Sequence, residues 1–217
     1  MKPGDRELTV LVHGLWMHGV VMHLQRRYLQ QAGFDAVSYS YPSTRLNVTE
    51  NADRLSRFVR TLGAPVVHWV GHSLGGIIIL RMLERDAALP PGRVVLLGPP
   101  YTGTHAGKSL GRFHWGKRML GRGIGELAEL KKHALFDGRD IGVVAGNYPF
   151  GLGRIFAWNL PMPNDGAVTV AETQVAAACD RIELPVTHTG MLFSRRVSFQ
   201  TAAFLRDGRF DHGAKAR

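Results

Sequence analysis

Short apolar runs alternate along this chain with longer stretches whose apolar residues recur every three or four positions. Residues 8–12, 36–40, 66–70, 94–97, 141–145 and 181–184 have the length and composition of strands. Residues 20–31, 51–62, the run that follows position 73, and 194–205 have the spacing of helices, with Leu55, Phe58, Val59 and Leu62 sharing one side of the second. Strand and helix in turn imply an α/β fold: about six mostly parallel strands with helices on both faces. No internal repeat or linker divides the chain, so residues 1–206 read as one domain and 207–217 as a fraying tail.

One stretch organises the rest. Between the strand 66–70 and the helix that carries Ile77, Ile78, Ile79, Leu80, Met82 and Leu83 stands Gly71-His72-Ser73-Leu74-Gly75-Gly76. Gly-x-Ser-x-Gly in a strand–turn–helix context is the nucleophile elbow, a turn so tight that the serine is strained and its neighbours two residues away must lack side chains. A serine hydroxyl is a poor nucleophile near neutral pH, so the motif has meaning only beside a histidine base, an acid to orient it, and donors for an oxyanion.

In a parallel sheet the functional loops gather at the carboxyl ends of the strands. The first strand ends at His13-Gly14, which offers the Leu15 amide as one oxyanion donor; the amide of Leu74, directly after the serine, is the other. Of ten histidines only His188 sits just past the last strand, and it is the candidate base. His72 neighbours the serine, but the turn sends its side chain elsewhere. His18, His23 and His68 read as structural or exposed. Among the acids, Asp137, Asp140 and Asp180 precede strands and Asp86 belongs to a helix, which leaves Asp165, with Glu172 as runner-up in the same connection. Asn164-Asp165-Gly166 is also a favoured turn sequence in its own right. Trp16, Met17, Met191, Leu192 and Phe193 flank these loops; an apolar acyl pocket and plain core are equally open readings.

On Val12-His13-Gly14, Gly71 to Gly76, Asn164-Asp165-Gly166 and Pro185-Val186-Thr187-His188, the chain resembles the α/β-hydrolases of the lipase and esterase type from about residue 8 to 206. The resemblance implies that fold, acyl transfer to water by Ser73, His188 and Asp165, and no cofactor. The strand bearing His13-Gly14 comes first here, so the family's leading hairpin strands are missing and the pattern resembles its minimal lipases. A thioesterase or acyltransferase would use the same residues, and a non-catalytic binding protein on this fold is the third reading.

Composition narrows the setting. The 217 residues are 45% hydrophobic and 20% charged, ordinary for a globular domain. A single cysteine, Cys179, excludes an internal disulfide and a cysteine metal cluster, and no His-Glu motif spaces two histidines for zinc. The polar first residues lack a signal-peptide core and no run approaches a membrane span, so the expected compartment is the cytoplasm. The net charge of +10 concentrates in a cap-like insertion at 103–133, where seven basic residues from Lys108 to Lys132 face Glu126 and Glu129. No nucleic-acid motif accompanies them. The segment is either a solvated helical face, the plainer reading, or a footprint for an anionic membrane surface.

Overall fold

The computed structural model describes residues 7–103, 136, 138–150 and 160–213. Six strands form one sheet: β1 (Glu7–Val12), β2 (Asp35–Tyr39), β3 (Val66–His72), β4 (Val94–Leu97), β5 (Ile141–Gly146) and β6 (Asp180–Leu184). They lie in the order β2-β1-β3-β4-β5-β6, every neighbouring pair parallel. A parallel sheet is covered on both faces, which is why its inner strands are near-continuous apolar runs.

Alternate residues feed two cores. Val10, Val12, Val67, Trp69, Val94 and Leu96 face α2 (Val48–Leu62) and α3 (Leu74–Arg85), where Leu55, Val59 and Ile78 meet them. Leu11, Val70, Val95, Leu97 and Val144 face the opposite way, toward α1 (His23–Gln31) and α4 (Arg195–Asp207), which supply Leu29, Val197 and Phe204.

Local chemistry sets the helix ends. Helix α2 starts at Val48, three residues before its apolar spacing becomes legible, because Asn47 and Glu50 form a reciprocal capping box (Oδ1 accepts from Glu50 N–H at 2.7 Å, Oε2 from Asn47 N–H at 2.8 Å). The helix expected at 20–31 divides into a 3₁₀ turn at Gly19–Met22 and α1 proper. Ser194 caps α4 by accepting from the Val197 amide.

The tail does not fray where it is described. Phe210 turns back into the core against Phe204, their rings 4.8 Å apart. Its N–H donates to Asp180 at 2.7 Å, and Gln200 exchanges two 2.8 Å hydrogen bonds with the Asp211 main chain. One buried phenylalanine in a polar stretch anchors what composition alone reads as loose. The basic insertion lies outside the described residues from position 104 to 135, as do positions 214–217.

The winding places the site. The chain steps from β1 outward to β2, crosses back over β1 to β3, and continues to β6, so its direction reverses between β1 and β3. A crevice opens at the carboxyl ends of the strands at such a switch point.

Candidate active site

Ser73 joins β3 to α3 with φ 52° and ψ −122°, a backbone region that L-residues rarely occupy. The two flanking glycines allow it. A Cβ on Gly71 would stand 2.5 Å from Gly76 Cα, and one on Gly75 would stand 2.4 Å from the carbonyl oxygens of Val12 and His13. The elbow therefore packs directly on the end of β1. Ser73 N–H donates to Leu97 O at 2.8 Å, which fixes the turn to β4. Leu74 opens α3, so its amide belongs to the N–H groups that a helix leaves without internal partners, at the positive end of the helix dipole.

Asp165 and His188 come from the loops after β5 and β6 and meet at the same end of the sheet. Asp165 is wholly buried, and its Oδ2 accepts from His188 Nδ1 at 2.7 Å. Its Oδ1 accepts the amides of Ala167 at 2.9 Å and Val168 at 2.7 Å. The turn and the partner of histidine are thus one structure: one oxygen closes the turn and the other holds the imidazole. Gly98, at φ 58°, keeps the space clear, since a Cβ there would lie 3.2 Å from both Asp165 Oδ2 and His188 Nδ1. Burial pulls the His188 pKa down, but the charge and hydrogen bond of Asp165 outweigh it, and the net result is a pKa above the ordinary imidazole value. With the proton on Nδ1, Nε2 carries the free lone pair. Glu172, by contrast, is buried with its Oε2 on the Thr169 amide and hydroxyl, at 2.8 and 3.1 Å, where it closes a local turn.

The loop after β1 is tightly built. His13 is fully buried; its Nδ1–H donates to Gly14 O at 2.8 Å, and its Nε2 accepts from the Tyr41 amide at 3.2 Å. Tyr41 stacks on the imidazole at 4.3 Å and donates its hydroxyl to His13 O at 2.8 Å. Because Gly14 C=O and Leu15 N–H share one peptide plane and point oppositely, anchoring the carbonyl fixes the direction of the Leu15 amide. Neither the side chain of His13 nor Tyr41 stands out in the sequence, since their bonds cross from β1 to the end of β2.

The apolar residues near the site divide. Trp16 is 49% exposed on a left-handed backbone (φ 59°), and its main-chain N–H donates to Ser43 Oγ at 3.1 Å. Met17 is half-buried on the α1/α4 core, and Phe193 is exposed. Met191 corrects the expectation of a pocket-lining residue: it is 0% exposed, in the core below the acid loop. A Cβ on Gly146 would stand 2.7 Å from Met191 Cε and 2.8 Å from Asp165 Cβ. The 3₁₀ turn Gly190–Leu192 rolls both Met191 and Leu192 inward.

Among the described residues no three His, Cys, Asp or Glu side chains are grouped to hold a metal ion, and no helix is long and apolar enough to cross a membrane.

An open parallel sheet of this strand order, with a serine elbow after its third strand, is the α/β-hydrolase architecture. The model of the alpha/beta hydrolase family matches residues 9–207, and the chain belongs to that family. No curated protein matches it in sequence. Among solved structures it is similar to the mature lipase BlEst2 of Bacillus licheniformis, with a TM-score of 0.73 and 20% identity over 94% of this chain and 92% of that one. It is also similar to a thermophilic esterase of Thermogutta terrifontis, with a TM-score of 0.67 and 12% identity over 94% and 91%. A third match is the metagenomic carboxyl esterase MGS0156, at 0.66 and 19% over 87% and 66%.

Proposed function

We propose that this protein is a serine hydrolase that cleaves carboxylic esters through an acyl-enzyme. The observation that carries the reading is the buried Asp165 carboxylate holding His188 by Nδ1 at 2.7 Å, at the strand ends where the strained Ser73 turn lies. His188 Nε2 takes the Ser73 proton as the hydroxyl oxygen attacks the ester carbonyl, and Asp165 stabilises the imidazolium that forms. The amides of Leu15 and Leu74 receive the negative charge on the former carbonyl oxygen. The imidazolium then protonates the departing alcohol, and the cycle repeats with water as nucleophile, releasing the acid. To the acyl side of the entrance we assign Trp16 and Met17, which follow the Leu15 amide in the loop after β1. The substrate class is an acyl ester or lipid. The same groups would serve a thioester or transfer the acyl group to another acceptor, and the likeness of the chain to lipases and esterases favours the ester.

The test is a panel of acyl esters and thioesters of increasing chain length, run beside labelling of the protein with a fluorophosphonate. Ester turnover and labelling that both vanish in Ser73→Ala support the reading. Turnover at the wild-type rate in Ser73→Ala overturns it.

A further inference from the structure

His72 stands immediately before Ser73 and is wholly buried. Its Nε2 lies 3.0 Å from the main-chain carbonyl oxygen of His188, 116 residues away in sequence. A carbonyl only accepts, so Nε2 carries the proton and donates it. The two imidazoles also touch, their centroids 4.8 Å apart and their planes at 46°. On the far side a Cβ on Gly14 would come within 3.0 Å of His72 Nδ1, so the ring is wedged between the end of β1 and the loop of the base. Burial, and then the neighbouring His188, push the His72 pKa down to about 3. So low a pKa makes the ring a poor proton acceptor near neutral pH and leaves it a mechanical part.

His188 is held on three sides. Asp165 takes its ring at Nδ1 and, through the Asp165 carbonyl, its main-chain N–H at 2.8 Å. His72 takes its carbonyl. The first two contacts tie His188 to the acid loop; the third, with the contact between the two rings, ties it to the strand that presents the serine.

We propose that His72 is a positioning residue, whose Nε2–H bond to the His188 carbonyl sets the distance between the base and Ser73. The proposal rests on the reading of Ser73 and His188 as nucleophile and base. An apolar side chain would fill the same volume, yet it would leave His188 without a hydrogen bond to the strand that presents the serine.

The experiment compares His72→Gln, His72→Asn and His72→Leu with wild type. The amide nitrogen of glutamine reaches the place of Nε2, whereas that of asparagine reaches only the place of Nδ1. The readouts are kcat and KM on the best ester of the panel, the rate of fluorophosphonate labelling, and thermal melting. Gln is expected to keep kcat within about threefold, whereas Asn and Leu lower kcat and labelling about ten- to a hundredfold with little change in KM, the scale of a misplacement near 1 Å. Wild-type kcat in both Asn and Leu, or a loss in Gln as deep as in Leu, overturns the proposal. Should Leu fail to fold, the contrast between Gln and Asn decides. Ser73→Ala separates the two levels: turnover and labelling that survive it sink the reading of the site. Labelling that disappears with Ser73→Ala but is equal across the His72 series sinks only the role of His72.

Discussion

Asp165 grips His188 twice, through its carbonyl to the His188 amide at 2.8 Å and through Oδ2 to Nδ1 at 2.7 Å. Asp165 therefore places the loop of His188 as well as orienting its ring, and the two contacts can be separated by mutation. In Asp165→Asn the amide oxygen must stay on the Ala167 and Val168 amides, which turns the NH₂ toward His188. That donor forces the imidazole proton onto Nε2, the wrong tautomer. The backbone contact and the fold should survive while turnover falls by about ten-thousandfold, as in the protease triad. Glu172→Gln should leave turnover nearly intact. Steady-state rates of both variants, with circular dichroism to verify folding, check the assignment, and the reverse pattern would move the acid to Glu172.

The pH dependence follows from the raised pKa of His188. If His188 is the base proposed above, it must be neutral to act, so kcat/KM should rise with pH and reach half its plateau above the ordinary imidazole value of about 6.5. The proton that inhibits catalysis stabilises the fold: this contribution is present below the unfolded pKa and is lost as pH rises through the folded one. In Asp165→Asn burial acts unopposed, and the residual activity should have its acid limb at lower pH. A pH–rate profile with an unmoved limb in that variant would separate the limb from His188.

Ser73 stores strain that a glycine would release. At φ 52° and ψ −122° the cost for a residue with a Cβ is about 1–3 kcal/mol. Ser73→Gly should therefore melt above Ser73→Ala, with both inactive. Ser73→Gly melting below Ser73→Ala, by the cost of about 0.4–1 kcal/mol that a glycine carries through the unfolded chain, would show that the elbow is unstrained.

Gly98→Ala tests the space around the acid–base pair. Its Cβ would enter at 3.2 Å from Asp165 Oδ2 and His188 Nδ1 on a left-handed backbone. Turnover should fall further than affinity, because the intrusion displaces reacting groups rather than substrate-lining ones. A variant with wild-type kcat would contradict the geometry.

The basic run from Lys108 to Lys132 reads most plainly as a solvated face, and its alternative, binding to anionic surfaces, has a direct test. Vesicles rich in anionic lipid should bind the protein more tightly than neutral ones, less so as salt rises, and charge reversal at Lys117 and Arg118 should weaken the preference. Flotation or sedimentation with the two vesicle types reads this directly, and equal binding to both removes the electrostatic attraction.

Much of this molecule is local, and what is local is legible in the chain. The elbow is written in six consecutive residues because its geometry is a steric demand on Gly71, Ser73 and Gly75 themselves. The strands are written in apolar runs because a doubly covered parallel sheet buries both faces. Chain order narrowed the candidates to Asp165 or Glu172 for the acid and His188 for the base, since the loops after the fifth and sixth strands open at the right end of the sheet. Contacts between distant segments left no such mark. Met191 has the composition of a pocket residue and the position of a core residue, and only the roll of the turn Gly190–Leu192 distinguishes them. The tail reads as loose until Phe204 and Asp180 are brought beside Phe210 and its amide. His13 and His72 stand in legible motifs, but the partners of their side chains, Tyr41 and His188, lie 28 and 116 residues away. Hydrogen bonds of a buried imidazole depend on which surfaces the fold presses together, and that is decided only when the two cores close on the sheet.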